Sequence, residues 1–183
     1  MRSCPSAHRS GRGAEGALEP IPYLDSYLRS ILERTRVIAM VGASTNIRRP
    51  SYFAFKYLRE RGYRVIPVNP PAAGTDLLGE TVMADLESID VPVDMVDVFR
   101  RSEEALAITE SAIRIGAKTV WMQLGIRNDE AAARAEAAGL DVVMNRCPKI
   151  EYGRLYGELG WGGINSGLFS NRRRPLRSRT KLT

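Results

Sequence analysis

Histidine is almost absent from this sequence. His8 is the only one among 183 residues, and it lies in an N-terminal stretch rich in Gly, Ser and Arg. The body of the chain therefore has no histidine for a catalytic triad, a phosphohistidine or a metal site. Cysteine is nearly as scarce. Cys4 and Cys147 lie far apart, which excludes a disulfide framework and favours a reducing, cytoplasmic location.

Long apolar runs are also missing. No segment approaches the ~20 consecutive apolar residues of a membrane-spanning helix, and the N-terminal arginines are not followed by the apolar core of a secretory signal. We therefore expect no membrane insertion. Residues 1–20 contain little to bury and are predicted to be disordered, whereas residues 21–156 are predicted to form one folded domain.

Acidic residues are missing from the end of the chain. Residues 171–183 contain six basic residues and no acid, which equals the net charge of +6, so residues 1–170 are neutral overall. A basic run can bind nucleic acid or an anionic surface. No aromatic or helical pattern accompanies these charges, so residues 157–183 are predicted to be a Gly-rich segment and a basic disordered tail, with nucleic acid a disfavoured partner.

The chain does contain a repeated apolar pattern. Five almost continuously apolar runs start roughly 25 residues apart, the length of a strand and a helix in a parallel sheet. They cover residues 36–42, 63–69, 93–99, 118–125 and 140–145. Continuous apolar runs are typical of strands that are covered on both faces. The pattern therefore predicts an α/β fold, a doubly wound parallel sheet of about five strands in three layers.

Helical patterns fall before and between these runs. Helices are predicted from residue 23 onward and over residues 51–61, 102–115 and 128–138, and a short strand with one helical turn within 79–89. Ser102 belongs to the residue types favoured at N-caps and would begin the third helix. Pro67 has no amide to donate, so we predict that it lies near the end of the second strand, where pairing is lost.

The loop after the first strand contains candidate anion-binding residues. It lacks the second and third glycines of a dinucleotide-binding loop and has two arginines instead. Gly42 permits a tight turn, and small side chains after it let backbone amides approach an anion. Guanidinium groups can donate charge-assisted hydrogen bonds to phosphate. The candidate residues of this loop are Gly42, Ala43, Ser44, Arg48 and Arg49.

The end of the second strand argues against NAD as the ligand. Folds that hold the ribose of NAD usually end this strand in Asp or Glu. Here Asn69 and Pro70 follow the strand, and an amide cannot act as an anionic acceptor. Together with the loop arginines, this favours a ligand with an additional phosphate, such as NADP or coenzyme A (CoA).

Catalytic arrangements are poor. Asp97 lies on an apolar strand without a second acid, and we expect a buried carboxyl that accepts loop amides rather than a general base. Cys147 has no histidine partner and is predicted to be structural, although Arg146 beside it could lower its pKa.

The strand ends, taken together, resemble a known family. The segments VGAST…RRPS (41–51), GYRVIPVNP (62–70), VDMVDVFRRSE (93–103), GAKTVWMQLGI (116–126) and AGLDVVMNRCPKIE (138–151) occur in order and with intact spacing. They closely resemble the small stand-alone CoA-binding proteins, which are related to the CoA-binding domain of the succinyl-CoA synthetase α subunit. The likeness extends from about Tyr23 to Tyr156.

This resemblance implies a Rossmann-like domain that binds CoA or an acyl-CoA and catalyses no reaction itself. The pyrophosphate would lie at the Gly42 loop and the following helix N-terminus, with Arg49 contacting phosphate. The other implied contacts are Val68, Asn69 and Pro70 at the adenosine, Phe99 and Arg100 beside the nucleotide, and Gln123, Gly125 and Cys147 along the pantetheine arm. The related synthetases use a phosphorylated histidine, which has no counterpart here.

Two alternatives stay open. One is an NAD(P)-binding redox sensor or oxidoreductase-like protein, which the missing acid at Asn69 and the absent catalytic dyad disfavour. The other is a nucleic-acid partner that uses the basic tail. The oligomeric state has no signature in the sequence.

Overall fold

A computed structural model describes residues 21–157 of the chain. The predicted disordered segment 1–20, with His8 and Cys4, lies outside the described residues, as does the predicted tail from residue 158 onward. Within residues 21–157, no helix is both long enough and apolar enough to cross a membrane.

Strands and helices alternate along the described residues. The strands are β1 (Val37–Val41), β2 (Arg64–Val68), β3 (Asp76–Leu77), β4 (Glu80–Thr81), β5 (Met95–Val98), β6 (Thr119–Met122) and β7 (Asp141–Val143). The α-helices are α1 (Asp25–Arg34), α2 (Pro50–Glu60), α3 (Ala105–Arg114), α4 (Asp129–Ala137) and α5 (Pro148–Leu155). The apolar pattern predicts five of these strands and the first four helices, and α5 has no counterpart in it.

Five parallel strands form one sheet in the order β2-β1-β5-β6-β7. β1 pairs with β2 on one side and with β5 on the other, so Val41 lies opposite both Val68 and Val98. The prediction of a doubly wound, Rossmann-like α/β fold is confirmed. In such a sheet ligands bind beyond the carboxyl ends of the strands, where the strand order reverses, and here that point lies between β1 and β5.

Side chains alternate between the two faces of the sheet and form two apolar clusters. One cluster joins Met40, Met95 and Trp121 of the strands to buried residues of α1, α2 and α5. The other joins Val96 and Met122 to the buried alanines of α3 and α4. Because each strand is covered on both faces, the apolar runs are nearly continuous, and the layers are helix, sheet and helix.

Pro67 lies near the end of β2, as predicted, but the prediction that pairing is lost there was wrong. It pairs with Met40 of β1. β2 is the edge strand of the sheet, and the Pro67 carbonyl faces outward, where it accepts from the Met83 amide at 2.8 Å. The missing amide of Pro67 points to the same outer edge, so no bond to β1 is lost.

One helix begins at the residue predicted from the sequence, and another begins later than predicted. The Asn128 side chain caps α4 by accepting from the Ala131 amide at 2.9 Å. Ser102 instead begins a 3-10 turn, Ser102–Glu104, ahead of α3. Its hydroxyl accepts from the Arg127 amide at 3.1 Å and so ties the start of this turn to the loop after β6.

Candidate functional site

A cleft of about 860 Å³ opens at the carboxyl edge of the sheet, between the first turns of α2 and α5. It reaches the loops after β2, β1, β5 and β6 and the start of α5, at the point where the strand order reverses. Its volume lies within the ~300–1,000 Å³ that small-molecule sites occupy. Nine of the residues predicted from the sequence line it: Gly42, Ser44, Arg48, Arg49, Asn69, Phe99, Arg100, Gln123 and Cys147.

Four other predicted residues do not line the cleft. Ala43 and Val68 are buried beneath its surface. Pro70 is exposed and begins a 3-10 turn, Pro70–Ala72, that leads away from β2. Gly125 is exposed between two lining residues, and its amide donates to Asn145 Oδ1 at 2.8 Å. Direct contacts from these four residues to a ligand stay predictions.

Gly42 is required by the close approach of two strand ends. Its φ is +88°, and a Cβ built there would lie 2.7 Å from the Phe99 carbonyl oxygen. Its amide donates to the Val68 carbonyl at 2.8 Å. Gly42 therefore gives the cleft its room, while its own hydrogen-bond donor is used within the fold.

The loop between β1 and α2 is held by short-range bonds. The Asn46 amide donates to Ser44 Oγ at 3.2 Å, and Asn46 Oδ1 accepts from the Arg48 amide at 2.9 Å. Among residues 21–157, the amides of Ala43 and Thr45 have no hydrogen-bond partner. The loop thus keeps a compact shape with unused amides.

The N-terminus of α2 is free to attract an anion. Pro50 is its first residue, its first turn contains no acid, and no side chain caps it. Unpaired amides and the helix dipole make such an end a favourable place for negative charge.

The cleft is lined by positive and not by negative side chains. Its basic residues are Arg48, Arg49, Arg100 and Lys149, and none of the described lining residues is acidic. Arg100 pairs with Glu104 at 3.1 Å. Neither Arg48 nor Arg49 has an ion pair or side-chain hydrogen bond with the rest of residues 21–157, and both are exposed. Two uncompensated guanidinium groups beside a helix N-terminus favour a ligand with several negative charges.

Gln123 lies at the base of the cleft above a buried carboxyl. Asp97, on β5, has no exposed surface, and both of its oxygens accept from Gln123 Nε2, at 2.9 and 3.1 Å. Burial raises the pKa of Asp97 to about 8, and the bond from Gln123 acts in the opposite direction. The prediction that Asp97 is buried is correct, but its donor is a side-chain amide and not a loop amide.

Cys147 lines the far end of the cleft, at the start of α5. Its thiol is free and buried. Burial raises the pKa of this thiol to about 11, although the amides of Ile150 and Lys149 lower it in part. The guanidinium of Arg146, which the sequence suggested could lower this pKa, instead donates to the Ile21 carbonyl at 2.7 Å and faces Glu151 at 3.6 Å. The predicted structural role for Cys147 therefore has a physical reason.

The cleft changes character along the sheet edge. Its apolar side chains include Phe53 and Leu124, which are 52% and 53% exposed, and the partly buried Ile126 and Ile150. The two uncompensated arginines lie in the β1–α2 loop, next to the apolar Phe53 of α2. Leu124, Ile126 and Cys147 follow β6 and β7, and one basic residue, Lys149, lies at that end. A ligand that fits this gradient is charged at one end and less polar at the other.

Eight lining residues were not among the ligand contacts predicted from the sequence. They are Pro50, Ser51, Phe53, Ala54, Leu124, Ile126, Lys149 and Ile150. The first four belong to the first turns of α2, and that helix start was itself predicted, so its cleft-facing residues could have been included. Lys149 and Ile150 belong to α5, a helix that was not predicted because its sequence has little apolar periodicity.

Comparison with known proteins agrees with this architecture. Residues 36–153 match the model of a CoA binding domain family. The chain is 36% identical to the uncharacterized protein YneT of Bacillus subtilis (strain 168) over 125 residues, which cover 68% of this chain and 91% of YneT. It is 39% identical to a solved hypothetical protein from Pyrococcus horikoshii OT3, with a TM-score of 0.71, covering 74% of this chain and 94% of that one.

A more distant similarity concerns the fold alone. A dinucleotide-forming acetyl-coenzyme A synthetase from Ca. Korarchaeum cryptofilum, solved with phosphate and ADP, shares 21% identity and a TM-score of 0.53. The match covers 60% of this chain and 25% of the synthetase chain. The resemblance of the strand ends to small CoA-binding proteins is confirmed by the family match. By fold and by sequence, this chain belongs to the CoA-binding domain family.

Proposed function

We propose that this chain binds coenzyme A along the carboxyl edge of its sheet and catalyses no reaction on it by itself. The observation that carries this proposal is the pair of uncompensated arginines at an open helix N-terminus, at the more strongly charged end of a cleft that becomes less polar towards a thiol. CoA has the same asymmetry, since it joins a triply phosphorylated adenosine to an uncharged arm that ends in a thiol.

The phosphates belong at the β1–α2 loop in this proposal. The start of α2 and the two guanidinium groups provide donors there, and the amides of Ala43 and Thr45, which have no partner within residues 21–157, belong to the same loop. Charge-assisted hydrogen bonds of this kind contribute roughly 1.5–3 kcal/mol each. Asn69 borders the same end, and its Oδ1 is buried with no hydrogen-bond partner within residues 21–157.

The arm would follow the sheet edge from β1 towards β7. Neighbouring strands lie ~4.8 Å apart, so the strand ends from β2 to β7 extend over roughly 19 Å. Gln123 and Cys147 lie along this path, and Leu124 and Ile126 border it. An acyl group on the thiol would meet these apolar side chains, so an acyl-CoA is compatible with the same site.

NADP is the second candidate, because it also has an additional phosphate. The residue after β2 is Asn69, which lacks the charge that usually holds the ribose of NAD. The apolar character of the cleft beyond Gln123 favours an arm and a thioester over a second nucleotide.

The chemistry near the thiol end supports binding over catalysis. A thiol whose pKa is raised to about 11 is neutral at pH 7 and a weak nucleophile. Asp97 is enclosed below the cleft and does not line it. The free thiol of Cys147 suits a reducing compartment, and we propose the cytoplasm as the location of the protein.

Calorimetric titration of CoA into the full chain tests the proposal. We expect the dissociation constant to rise about tenfold in Arg49→Ala, because the variant loses one charge-assisted contact to phosphate. Arg64→Ala is the matched control, since Arg64 begins β2 at the opposite end of the sheet and is also exposed.

Three results would count against the proposal. Absence of saturable CoA binding to the unaltered chain would reject CoA as the ligand. Equal losses in the two arginine variants would reduce the role of Arg49 to general attraction between charges. Tighter binding of NADPH than of CoA would favour the second candidate.

A further inference from the structure

Lys149 is a half-buried cation of the cleft that has no acidic partner. The other lysines within residues 21–157, Lys56 and Lys118, each pair with a carboxylate, at 3.9 and 2.7 Å. Lys149 has no ion pair with the residues of this range, and its Nζ lies 5.7 Å from the centre of the Tyr57 ring. A ring face attracts a cation but does not neutralise it, so the ammonium group keeps its charge.

Two acids of this region do not compensate that charge. Glu151, on α5 like Lys149, is buried and faces Arg154 at 2.8 Å and Arg146 at 3.6 Å. Burial raises the pKa of Asp97 to about 8, so this carboxyl is mostly protonated and uncharged at neutral pH. Because none of the described residues that line the cleft is acidic, the charge of Lys149 is available to a ligand.

Lys149 lies at the less polar end of the cleft. It belongs to the first turn of α5 and lines the cleft together with its neighbour Ile150. Leu124 and Ile126, in the loop after β6, line the same end. The loops after β6 and β7 are joined there, since the Asn145 amide donates to the Ile126 carbonyl at 3.1 Å. This end of the cleft therefore combines apolar walls with one cation.

The arm of CoA does not supply the negative charge that Lys149 lacks. The charges of CoA are on its phosphates, which belong at the β1–α2 loop, whereas the arm and its thiol are neutral. A bound arm would remove water from the half-buried ammonium group without providing a counterion, which is unfavourable. An acyl group on the thiol extends further into this end of the cleft, and a carboxylate at its far end would compensate the charge.

We propose that the site selects CoA thioesters of dicarboxylic acids, with the free carboxylate of the acyl group paired to Lys149 Nζ. This inference rests on the proposed function, in which the thiol of the ligand lies beside Cys147. The methylene groups of the acyl chain contact the apolar walls of the cleft. The flexible four-carbon stem of lysine lets the ammonium group meet carboxylates on acyl chains of different length.

Acyl-CoA pairs of equal shape test this selectivity by calorimetric titration into the full chain. In 3-methylbutanoyl-CoA an uncharged isopropyl group replaces the carboxylate of malonyl-CoA. In 5-methylhexanoyl-CoA it replaces the carboxylate of glutaryl-CoA, whose chain is two methylene groups longer. We expect the unaltered chain to bind at least one dicarboxylic thioester about fivefold more tightly than its uncharged counterpart, because only the former accepts a charge-assisted hydrogen bond.

Lys149→Met removes the charge and keeps an unbranched, flexible side chain. We expect this variant to lose the preference, because the dicarboxylic thioester is weakened about fivefold and its uncharged counterpart is not. Lys56→Met is the matched control, since Lys56 is exposed on α2 and does not line the cleft. This control is expected to keep the preference, and a loss in both variants would overturn the proposal.

Three further results would overturn it. The first is the absence of a preference in both ligand pairs with the unaltered chain. The second is a preference that survives in Lys149→Met. The third is a loss of affinity for CoA itself in Lys149→Met that equals the loss for the dicarboxylic thioester, because Lys149 would then contact phosphate and not the acyl group.

The binding of CoA separates this inference from the proposed function. Saturable binding of CoA that weakens in Arg49→Ala, without a preference for either dicarboxylic thioester, would overturn the inference and leave the proposed function in place. Absence of binding by CoA and by all four thioesters would overturn both.

Discussion

Two carboxyl groups near β5 show how single residues are set by their surroundings. Burial raises the pKa of Asp97 to about 8, against a single opposing bond from Gln123. Burial also acts to raise the pKa of Asp94, but the bond from Lys118 and the amides of Val37 and Arg36 together lower it below its usual value. The first carboxyl is enclosed beneath Gln123 with a single donor, whereas the second accepts from the amides at the start of β1 and from Lys118.

These opposite shifts predict opposite effects of pH on stability. In the unfolded chain Asp97 ionises near pH 4, whereas in the folded chain it stays protonated up to about pH 8. The folded state therefore binds more protons between these values, and the contribution of Asp97 to stability falls as the pH rises. We expect Asp97→Asn to become more stable relative to the unaltered chain by at least about 1 kcal/mol between pH 4 and pH 8.

Urea unfolding at several pH values measures this difference. Asp94→Asn is the control of opposite sign, because a lowered pKa stabilises the fold above about pH 4, so this variant should lose stability at neutral pH. A difference between Asp97→Asn and the unaltered chain that stays constant with pH would contradict the assignment.

At the scale of elements, the connection from β1 to α2 depends on two strand ends that nearly touch. Gly42 and Gly62 both have positive φ, +88° and +89°. A Cβ at Gly42 meets the backbone of Phe99, whereas a Cβ at Gly62 meets nothing within 4 Å. Only the first position combines backbone strain with a collision that a side-chain rotation cannot relieve.

We therefore expect Gly42→Ala to destabilise the chain more than Gly62→Ala. The second variant isolates the strain of positive φ, about 1–3 kcal/mol, and the first adds the collision with Phe99. Denaturant unfolding of both variants at one pH measures the difference. Equal losses would mean that the ends of β1 and β5 can move apart, and that Gly42 is not what gives the cleft its room.

The sequence predicts some secondary-structure elements better than others. The five sheet strands are predictable because each is apolar on both faces, and α4 because Asn128 caps it. The position of Pro67 was predicted incorrectly because the local sequence does not indicate that β2 is an edge strand, where a proline does not interrupt pairing. α5 is missed because its buried residues include Glu151, which pairs with Arg154 at 2.8 Å. In the sequence, the charged residues of a buried ion pair cannot be distinguished from those of a solvent-exposed helix face.

At the scale of the whole molecule, the cleft is a product of strand order. Arg49 and Ile150 are 101 residues apart in the sequence, yet they line one cleft because the loops that follow parallel strands lie at the same edge of the sheet. That each strand end matters follows from the fold class, so Asn69, Phe99 and Gln123 could be predicted. The sequence does not predict which loop residues face the cleft, because this depends on the hydrogen bonds within each loop. Gly125 illustrates this, since its amide is bonded to Asn145.

The direction of the ligand along the sheet edge is the central claim. A crystal structure of the full chain with CoA tests it most directly. The account predicts phosphates at the start of α2 within hydrogen-bond distance of Arg49, an arm that passes Gln123, and a thiol beside Cys147. An empty cleft at saturating CoA, or CoA in the reverse direction with its adenosine beside Cys147, would contradict the account.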